Sequence, residues 1–357
     1  MTDPLVSRYR GIVCDLDGVV YRSHEAIPHA VAALERARRA GVAIAYATNN
    51  AAREPAVVAA QLRALGLEAP DASVVNSSMA GAAYLAERVP PGAPVLAVGG
   101  DGVATALVDA GLRPVRAGAP AHADPVAVLQ GYGPDVSWRD LAEAAYTIQR
   151  GAMWVATNLD ATIPTSGGIA PGNGSLVAAV RHAVPNDPVA VGKPETPLYE
   201  LCAARLGTAL ASTLAIGDRL DTDIVGANRA GMPSLCVTTG VHQVDAIAAA
   251  DGESRPTYLA VDLRALHRPY ADPAVRVEGD VTVSGCGAAV VSYLAGRGLT
   301  LGEGGDADTR LRAVVALLWA LRDAAGGAAP VDLGIDGVAW SGVRQWIAAT
   351  DGPQEQA

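Results

Sequence analysis

Phenylalanine is absent from this 357-residue sequence, and tyrosine and tryptophan together supply only 4% of its residues. Its hydrophobic cores must therefore be built from valine, leucine, isoleucine and alanine. Half of the residues are apolar, which is enough for sizeable cores, and the length suggests roughly two or three domains of about 150 residues each. The composition thus predicts a globular protein with aliphatic cores.

Positive charge is also scarce, because 27 lysines and arginines stand against 37 aspartates and glutamates, for a net charge of -10. This balance argues against non-specific binding to nucleic acid, which needs a basic surface. No apolar run reaches the roughly 18 residues that a membrane span requires, and the longest candidate, Leu311 to Leu321, amounts to one helix. No secretory signal is recognisable at the N-terminus, so we expect neither export nor membrane insertion.

Cysteine is rare and widely spaced, with four residues and no Cys-x-x-Cys pair. This spacing favours buried thiols over disulfides or a zinc site, and it is typical of proteins in the reducing cytoplasm. We therefore predict a cytoplasmic protein whose thiols lie in its cores: Cys14, Cys202, Cys236 and Cys286.

The chemically most informative stretch runs from Ile12 to Val20 and reads IVCDLDGVV. Its apolar start predicts a buried strand, and Asp15 follows at the carboxyl end, where open α/β sheets bind their ligands. Asp17 is close enough to share a site with Asp15, and two such carboxylates repel unless a metal neutralises them or one stays protonated. Either state provides a nucleophile and a general acid, although a DxDG stretch alone also fits two ordinary turn residues.

The rest of the chain alternates apolar strand patterns with helical patterns, which predicts an α/β fold with a Rossmann-like parallel-sheet core. The alternation breaks at Pro90-Pro91-Gly92 and the main sheet resumes near Pro188, which indicates an inserted domain. The predicted domains are the first part of the core (residues 1–85), an inserted α/β cap (86–187), the second part of the core (188–268) and a small C-terminal α/β unit of unknown role (269–357).

Three local predictions concern segments outside the core. The glycine-rich segment from Pro164 to Gly174 predicts a loop that leads into a helix at Ser175. In the C-terminal unit, Val275 to Val283 alternates like one exposed strand, and Val331 to Ile335 has the pattern of a further strand.

Polar side chains follow four predicted strands of the main sheet, at the point where each strand ends: Asp15 with Asp17, Thr48 with Asn49, Lys193, and Asp218 with Asp223. Because the carboxyl ends of parallel strands share one edge, we expect these groups to meet. The carboxylates suit Mg²⁺, the backbone N–H groups after Thr48 suit an anion, and Lys193 adds a positive charge. Such a distributed set fits phosphate monoester hydrolysis, one of the slowest uncatalysed reactions.

Four motifs carry a family resemblance: DLDG at Asp15, ATNN at Thr48, GKP at Lys193 and GDRLDTD at Asp218. In this order they resemble the haloacid-dehalogenase-like phosphatases, and the resemblance covers about residues 10–265. It implies that Asp15 is the nucleophile, which forms an aspartyl-phosphate, and that Asp17 acts as general acid and then as general base.

The same resemblance implies the remaining site residues. Phosphate would be bound by Thr48, Asn49, Asn50 and Lys193. Mg²⁺ would be bound by the side chains of Asp15 and Asp218 and by the carbonyl of Asp17. Asp223 would hold these ligands in place without binding the metal itself.

The spacing of the motifs narrows the subclass. Only 33 positions separate Asp15 from Thr48, too few for a domain, whereas 145 positions separate Thr48 from Lys193. The chain is therefore similar to the group whose cap lies between the second and third motifs, which contains nitrophenyl-phosphatases, phosphoglycolate phosphatases and glycerol 3-phosphate phosphatases. Asp17 separates it from the dehalogenases, which lack an acid at that position.

The resemblance implies glycerol 3-phosphate or phosphoglycolate as the substrate, with another small ester such as a sugar phosphate or pyridoxal phosphate as the alternative. A non-catalytic sensor of a phosphorylated metabolite would also keep the fold, although binding alone needs no acid at Asp17. Asn158 in the cap fits either a substrate contact or an ordinary turn after a strand. The sequence leaves homo-oligomerisation open.

Overall fold

The computed structural model describes residues 3–118, 124–165, 167–327 and 337–349, so the predicted strand at Val331 to Ile335 lies outside the described residues. The chain divides into two compact units. The first contains residues 1–42 and 211–357, and the second contains residues 43–210.

The described strands are, in chain order, β1 Gly11–Cys14, β2 Tyr21–Arg22, β3 Glu25–Ala26, β4 Ala43–Thr48, β5 Val74–Asn76, β6 Pro94–Val98, β7 Arg113–Val115, β8 Ala127–Gln130, β9 Met153–Ala156, β10 Thr162–Thr165, β11 Gly168–Pro171, β12 Val189–Ala190, β13 Thr213–Gly217, β14 Ser234–Val237, β15 Tyr258–Ala260, β16 Ala274–Glu278, β17 Val281–Cys286, β18 Ala289–Leu294 and β19 Gly298–Leu301. The α-helices are α1 Ala30–Arg39, α2 Pro55–Ala64, α3 Ser77–Ala86, α4 Asp101–Asp109, α5 Trp138–Gln149, α6 Asn173–Arg181, α7 Pro197–Leu206, α8 Val225–Arg229, α9 Val244–Ala248, α10 Ala307–Ala324 and α11 Gly337–Ala348. In the parts of the chain given above, no helix is both long and apolar enough to cross a membrane.

The main sheet of the first unit consists of parallel strands in which β13 pairs with β1 on one side and β14 on the other, and β14 pairs with β15. Every residue of β1, β13 and β14 is buried, which is why these segments read as continuous apolar runs. β1 ends at Cys14 and β13 ends at Gly217, so Asp15 and Asp218 both follow the carboxyl ends of paired parallel strands.

The C-terminal part of the first unit is a four-stranded antiparallel sheet, β16 to β19, covered by helix α10. The prediction of one exposed strand at Val275 to Val283 is wrong, because the segment turns at Gly279 and pairs β16 with β17. Gly279 has φ +62°, a left-handed conformation that glycine adopts without strain, so the chain reverses there while the apolar alternation continues.

Helix α10 shares one apolar cluster with the core of the first unit. Leu311, Leu317 and Leu318 are almost fully buried there with Val244 and Ile247 of α9. Since side chains between residues 220 and 259 and side chains of the C-terminal segment fill the same cluster, both contribute to the stability of the first unit.

Two buried charged side chains of α10 hold it against β15. The Asp308 carboxylate accepts the Val261 N–H at 2.8 Å, and the Arg312 guanidinium donates to the Leu259 carbonyl at 2.9 Å. Arg312 also lies over the Tyr270 ring, 3.9 Å from its centroid. These contacts satisfy backbone groups at the edge of the sheet.

The second unit contains a parallel five-stranded sheet in the order β12, β9, β8, β6, β7, and a parallel pair of β4 with β5. The prediction that Pro164 to Gly174 forms a loop is wrong, because β10 and β11 pair as an antiparallel hairpin. Gly168, at φ +120°, provides the backbone reversal, and α6 begins at Asn173 rather than at Ser175.

The predicted fold class is confirmed, since helices alternate with parallel strands in both units. The predicted domain boundaries after residues 85, 187 and 268 remain a prediction.

Replacing a buried leucine of α10 should destabilise the first unit. We expect Leu318→Ala to lower the free energy of unfolding by about 2–5 kcal/mol, because it removes apolar contacts and leaves a cavity. Urea-induced unfolding measures the change. Val277→Ala in β16, where the side chain is 73% exposed, is the control and should change stability by about 0.5 kcal/mol or less. Equal effects of the two substitutions would contradict the shared core.

The four thiols should be unreactive in the native protein. All four are buried thiols outside any disulfide, and burial raises the pKa of the Cys202 thiol to about 12 and raises the pKa of Cys236 and Cys286 as well. Because the thiolate is the reactive species, a disulfide reagent at about pH 8 should titrate none of them rapidly and all four in denaturant. One rapidly titrated native thiol would show that a cysteine is accessible.

Candidate active site

Three carboxylates form a cluster in the first unit. Asp15, Asp218 and Asp223 each present one oxygen, and these oxygens lie within 4.8 Å of one another. Asp15 is half-buried, whereas Asp218 and Asp223 are only 1% and 3% exposed. Gathering three acids in a buried place costs free energy unless a cation neutralises them, and an all-oxygen donor set suits Mg²⁺. The donor chemistry therefore fits the predicted metal.

Asp218 is held by the loop that follows β14. The Val241 N–H donates to Asp218 Oδ2 at 2.6 Å, and the Thr239 hydroxyl donates to the Gly18 carbonyl at 2.6 Å. A side chain at Gly18 or at Gly240 would overlap the Asp218 carboxylate. Both glycines are therefore required by close packing, and Gly18 also has a positive φ of +82°.

Asp223 belongs to a single π-helical turn, Leu220–Ile224, that follows Asp218. Its Oδ2 accepts the Arg219 N–H at 3.1 Å, and its own N–H donates to the Arg219 carbonyl at 3.0 Å. A side chain at Gly217 would overlap Asp223. The turn thus directs the carboxylate back toward the end of β13. Asp223 could support the metal ligands or bind the metal itself, and the supporting role remains a prediction.

Asp17 occupies the turn after β1 and is exposed. The turn is built on the buried Leu16, whose carbonyl accepts the N–H groups of Val20 at 2.8 Å and Tyr21 at 3.1 Å. An exposed acid on a fixed backbone can exchange protons with solvent and with a leaving group, which suits a general acid.

In the second unit, the predicted phosphate-binding residues begin at the end of β4. Thr48 Oγ1 accepts the Asn50 N–H at 3.1 Å, which leaves the hydroxyl hydrogen to donate elsewhere. The side chain of the exposed Asn50 accepts the Ala52 N–H at 3.1 Å. These bonds fix the short loop that leads into α2.

Lys193 is buried in the second unit, with 6% exposure, and its Nζ lies 3.5 Å from the Ala47 carbonyl. Its backbone is bound by the Asn49 side chain through both of its polar groups. Asn49 also contacts Asp160, and its carbonyl accepts a hydrogen bond from Asn158.

The structure thus brings Asp15 together with Asp218 and Asp223 in the first unit, and Asn49 together with Asn158 and Lys193 in the second. The roles assigned to these residues, and their union in one site, remain predictions. Sequence reasoning missed the loop that holds Asp218, from Thr239 to Val241. That loop could have been found, because it follows a predicted strand of the main sheet at its carboxyl end.

Comparison with known proteins gives two family matches. A model described as haloacid dehalogenase-like hydrolase matches residues 12–113, and a model described as HAD-hydrolase-like matches residues 190–266. These ranges contain all four motifs.

Two curated relatives have different lengths. The D-glycerol 3-phosphate phosphatase of Mycobacterium tuberculosis is 41% identical over 313 residues, which is 88% of this chain and 86% of that protein. A 5′-nucleotidase of Bacillus subtilis is 34% identical over 262 residues, 73% of this chain and 98% of that protein. At least 47 of the 313 residues matched by the former lie beyond residue 266, where the family matches end.

Solved structures agree with these matches. A glycerol phosphate phosphatase from Mycobacterium tuberculosis in complex with magnesium is 39% identical, covers 90% of this chain and 93% of its own, and has a TM-score of 0.76. A p-nitrophenyl phosphatase from Archaeoglobus fulgidus is 25% identical, covers 72% of this chain and 98% of its own, and has a TM-score of 0.66. Family matches, relatives and structures together show that the chain belongs to the haloacid dehalogenase-like hydrolases, as its motifs predict.

Proposed function

We propose that this protein is a Mg²⁺-dependent phosphatase that hydrolyses glycerol 3-phosphate through an aspartyl-phosphate on Asp15. The observation that carries the proposal is the cluster of Asp15, Asp218 and Asp223, three carboxylates at the carboxyl ends of paired parallel strands. The predicted enzyme class, phosphoric monoester hydrolase, is confirmed by relatives that are phosphatases.

The first half of the reaction transfers the phosphoryl group to the enzyme. An Asp15 oxygen attacks phosphorus in line with the ester oxygen, and the bond between phosphorus and that oxygen breaks. Asp17 donates its proton to the departing alkoxide, which leaves as the alcohol. Thr48 donates from its hydroxyl to a phosphoryl oxygen, and Lys193 supplies positive charge.

The second half releases phosphate. Asp17, now a carboxylate, takes a proton from water as the water oxygen attacks phosphorus. The bond between phosphorus and Asp15 breaks, and inorganic phosphate and the free Asp15 carboxylate result. Asp17 is reprotonated, so the cycle closes with no other reactant than water.

The metal would be held by the side chains of Asp15 and Asp218 and by the carbonyl of Asp17, with Asp223 beside them. When bound, Mg²⁺ neutralises the carboxylates and offsets the negative charge of the phosphoryl oxygens. The requirement for Mg²⁺ is supported by the relative that was solved with magnesium.

Glycerol 3-phosphate is favoured among small esters by the extent of the match. The D-glycerol 3-phosphate phosphatase of Mycobacterium tuberculosis matches this chain well beyond the family region, whereas an acid sugar phosphatase of Staphylococcus epidermidis matches 258 residues. Phosphoglycolate, sugar phosphates and pyridoxal phosphate are the alternatives to exclude.

We place the enzyme in the cytoplasm, acting on a small phosphorylated metabolite and not on nucleic acid. The four buried thiols, none of them in a disulfide, support a reducing compartment, and the net charge of -10 disfavours a polyanionic partner.

A panel of phosphate esters with Mg²⁺ tests the function directly. We expect phosphate release from glycerol 3-phosphate to exceed that from phosphoglycolate, sugar phosphates, pyridoxal phosphate and nucleotides, and to stop when EDTA removes the metal. Preference for another ester would show that the proposed substrate is wrong, while the proposed mechanism would stand. Tight binding of an ester without turnover would instead support a sensor.

Substitution of the two acids separates their roles. We expect Asp15→Asn to lower kcat by about 10⁴-fold or more, because no nucleophile remains. Asp17→Asn should lower kcat by about 10²–10⁴-fold for glycerol 3-phosphate. With p-nitrophenyl phosphate, whose leaving group needs no proton, Asp17→Asn should still give a stoichiometric burst of nitrophenolate.

The control for both variants is Asp101→Asn, which should keep wild-type kcat. Asp101 is exposed, and its side chain forms an ion pair with Arg116. Near-normal turnover by Asp15→Asn would sink the covalent mechanism. A burst of nitrophenolate in Asp17→Asn that is slowed as much as the first turnover of glycerol 3-phosphate would argue that this residue is not the general acid.

A further inference from the structure

We propose that Asn49 and Asn158 are positioning residues that fix Lys193 and the loop after Thr48, and that neither side chain binds phosphate. This inference rests on the proposed function, because it assigns how that site is held. It replaces the phosphate-binding role that the sequence suggests for Asn49 and the substrate contact that it allows for Asn158.

The hydrogen bonds of Asn49 leave no donor for a phosphate. Its Nδ2 donates to the Lys193 carbonyl at 2.9 Å and to the Asp160 carboxylate at 3.2 and 3.4 Å. Since an amide has two hydrogens, both are used. Its Oδ1 accepts the Lys193 N–H at 2.8 Å, and an acceptor oxygen repels a phosphate dianion.

Asn158 is used in the same way and is only 4% exposed. Its Nδ2 donates to the Asn49 carbonyl at 2.8 Å and lies 3.5 Å from Thr157 Oγ1, and its Oδ1 accepts the Asp160 N–H at 3.1 Å. The Ser77 hydroxyl donates to the same Asn49 carbonyl at 2.8 Å. Both lone pairs of that carbonyl are therefore occupied.

Fixing the Asn49 carbonyl also fixes the N–H of Asn50, because both belong to one planar peptide. That N–H donates to Thr48 Oγ1 and so orients the hydroxyl proposed to bind phosphate. Asn158 thus acts on the loop after Thr48 through the Asn49 carbonyl.

Lys193 needs this support because its side chain has four rotatable carbons and a point charge. Asn49 binds the peptide groups on both sides of the Lys193 Cα, so the direction in which the side chain leaves the backbone is fixed. Asp160 then fixes the Asn49 amide itself. The Asp160, Asn49 and Lys193 contacts form one continuous chain of hydrogen bonds within the second unit.

Hydrogen exchange tests the clamp without any substrate. We expect Asn49→Ala to accelerate amide exchange in peptides that cover Lys193, because its N–H loses its acceptor. Asn50→Ala is the matched control, since that side chain binds the Ala52 N–H, and it should leave exchange at Lys193 unchanged. Unchanged protection in Asn49→Ala would overturn the proposal.

Kinetics tests the consequence for the reaction. We expect Asn49→Ala to lower kcat by about 10²-fold, as misplacement of a catalytic group by about 1 Å does, while inhibition by inorganic phosphate changes less than threefold. In a Lys193→Ala background, Asn49→Ala should add less than about a threefold loss. Loss of phosphate inhibition with Lys193 exchange still protected would make Asn49 a direct ligand and overturn the proposal.

The two readouts also separate this inference from the proposed function. A wild-type protein that hydrolyses no ester would refute the phosphatase, whereas exchange at Lys193 would still report on the clamp. An active wild type with unaltered exchange in Asn49→Ala would refute the clamp alone. Should Asn49→Ala fail to fold, Asn158→Ala provides the same exchange test on residues 49–51.

Discussion

Electrostatic repulsion between carboxylates is the main physical constraint on the candidate site of the first unit. Asp15, Asp218 and Asp223 present oxygens within 4.8 Å of one another. In a flexible chain these carboxylates would separate, because they repel one another and each is better hydrated alone. Rigid neighbours hold them together: buried parallel strands end at Cys14 and Gly217, and a π-helical turn directs Asp223 back to them. A divalent cation would remove this repulsion, so the crowding favours the proposed binding of a cation at the cluster.

Glycines make that crowding sterically feasible. Gly18, Gly217 and Gly240 lie where a side chain would overlap a carboxylate of the cluster. The acids are therefore packed against bare backbone, whose N–H groups can also donate to them, as Val241 does to Asp218. Such a site therefore needs residues without side chains next to its carboxylates, as well as the carboxylates themselves.

The fold class and the core of the site could be predicted because they depend on local pattern. An apolar run that stops at an acid marks a strand end, and this signal located Asp15 and Asp218. The hairpin at β10 and β11 was missed because its glycines also fit a loop. Gly279 was missed because the apolar alternation continues on both sides of the turn, so periodicity alone shows one strand.

The roles of Asn49 and Asn158 could not be predicted for a different reason. Their partners are 144 and 109 residues away in sequence, and no pattern of composition or spacing records such pairs. Motif resemblance places an asparagine next to the threonine that is predicted to bind phosphate, but only the hydrogen-bond count shows that both hydrogens of its amide are used.

The apolar cluster of the first unit connects the turn that carries Asp223 with the C-terminal part of the chain. Leu220 and Ile224, which bracket the turn that carries Asp223, belong to the same cluster as the C-terminal helix α10. Two relatives match this chain over only 262 and 258 residues, which are 98% and 96% of their own lengths. In this protein the side chains of α10 and of the turn that carries Asp223 are packed in one core, so a volume change in α10 can displace a carboxylate of the distant cluster.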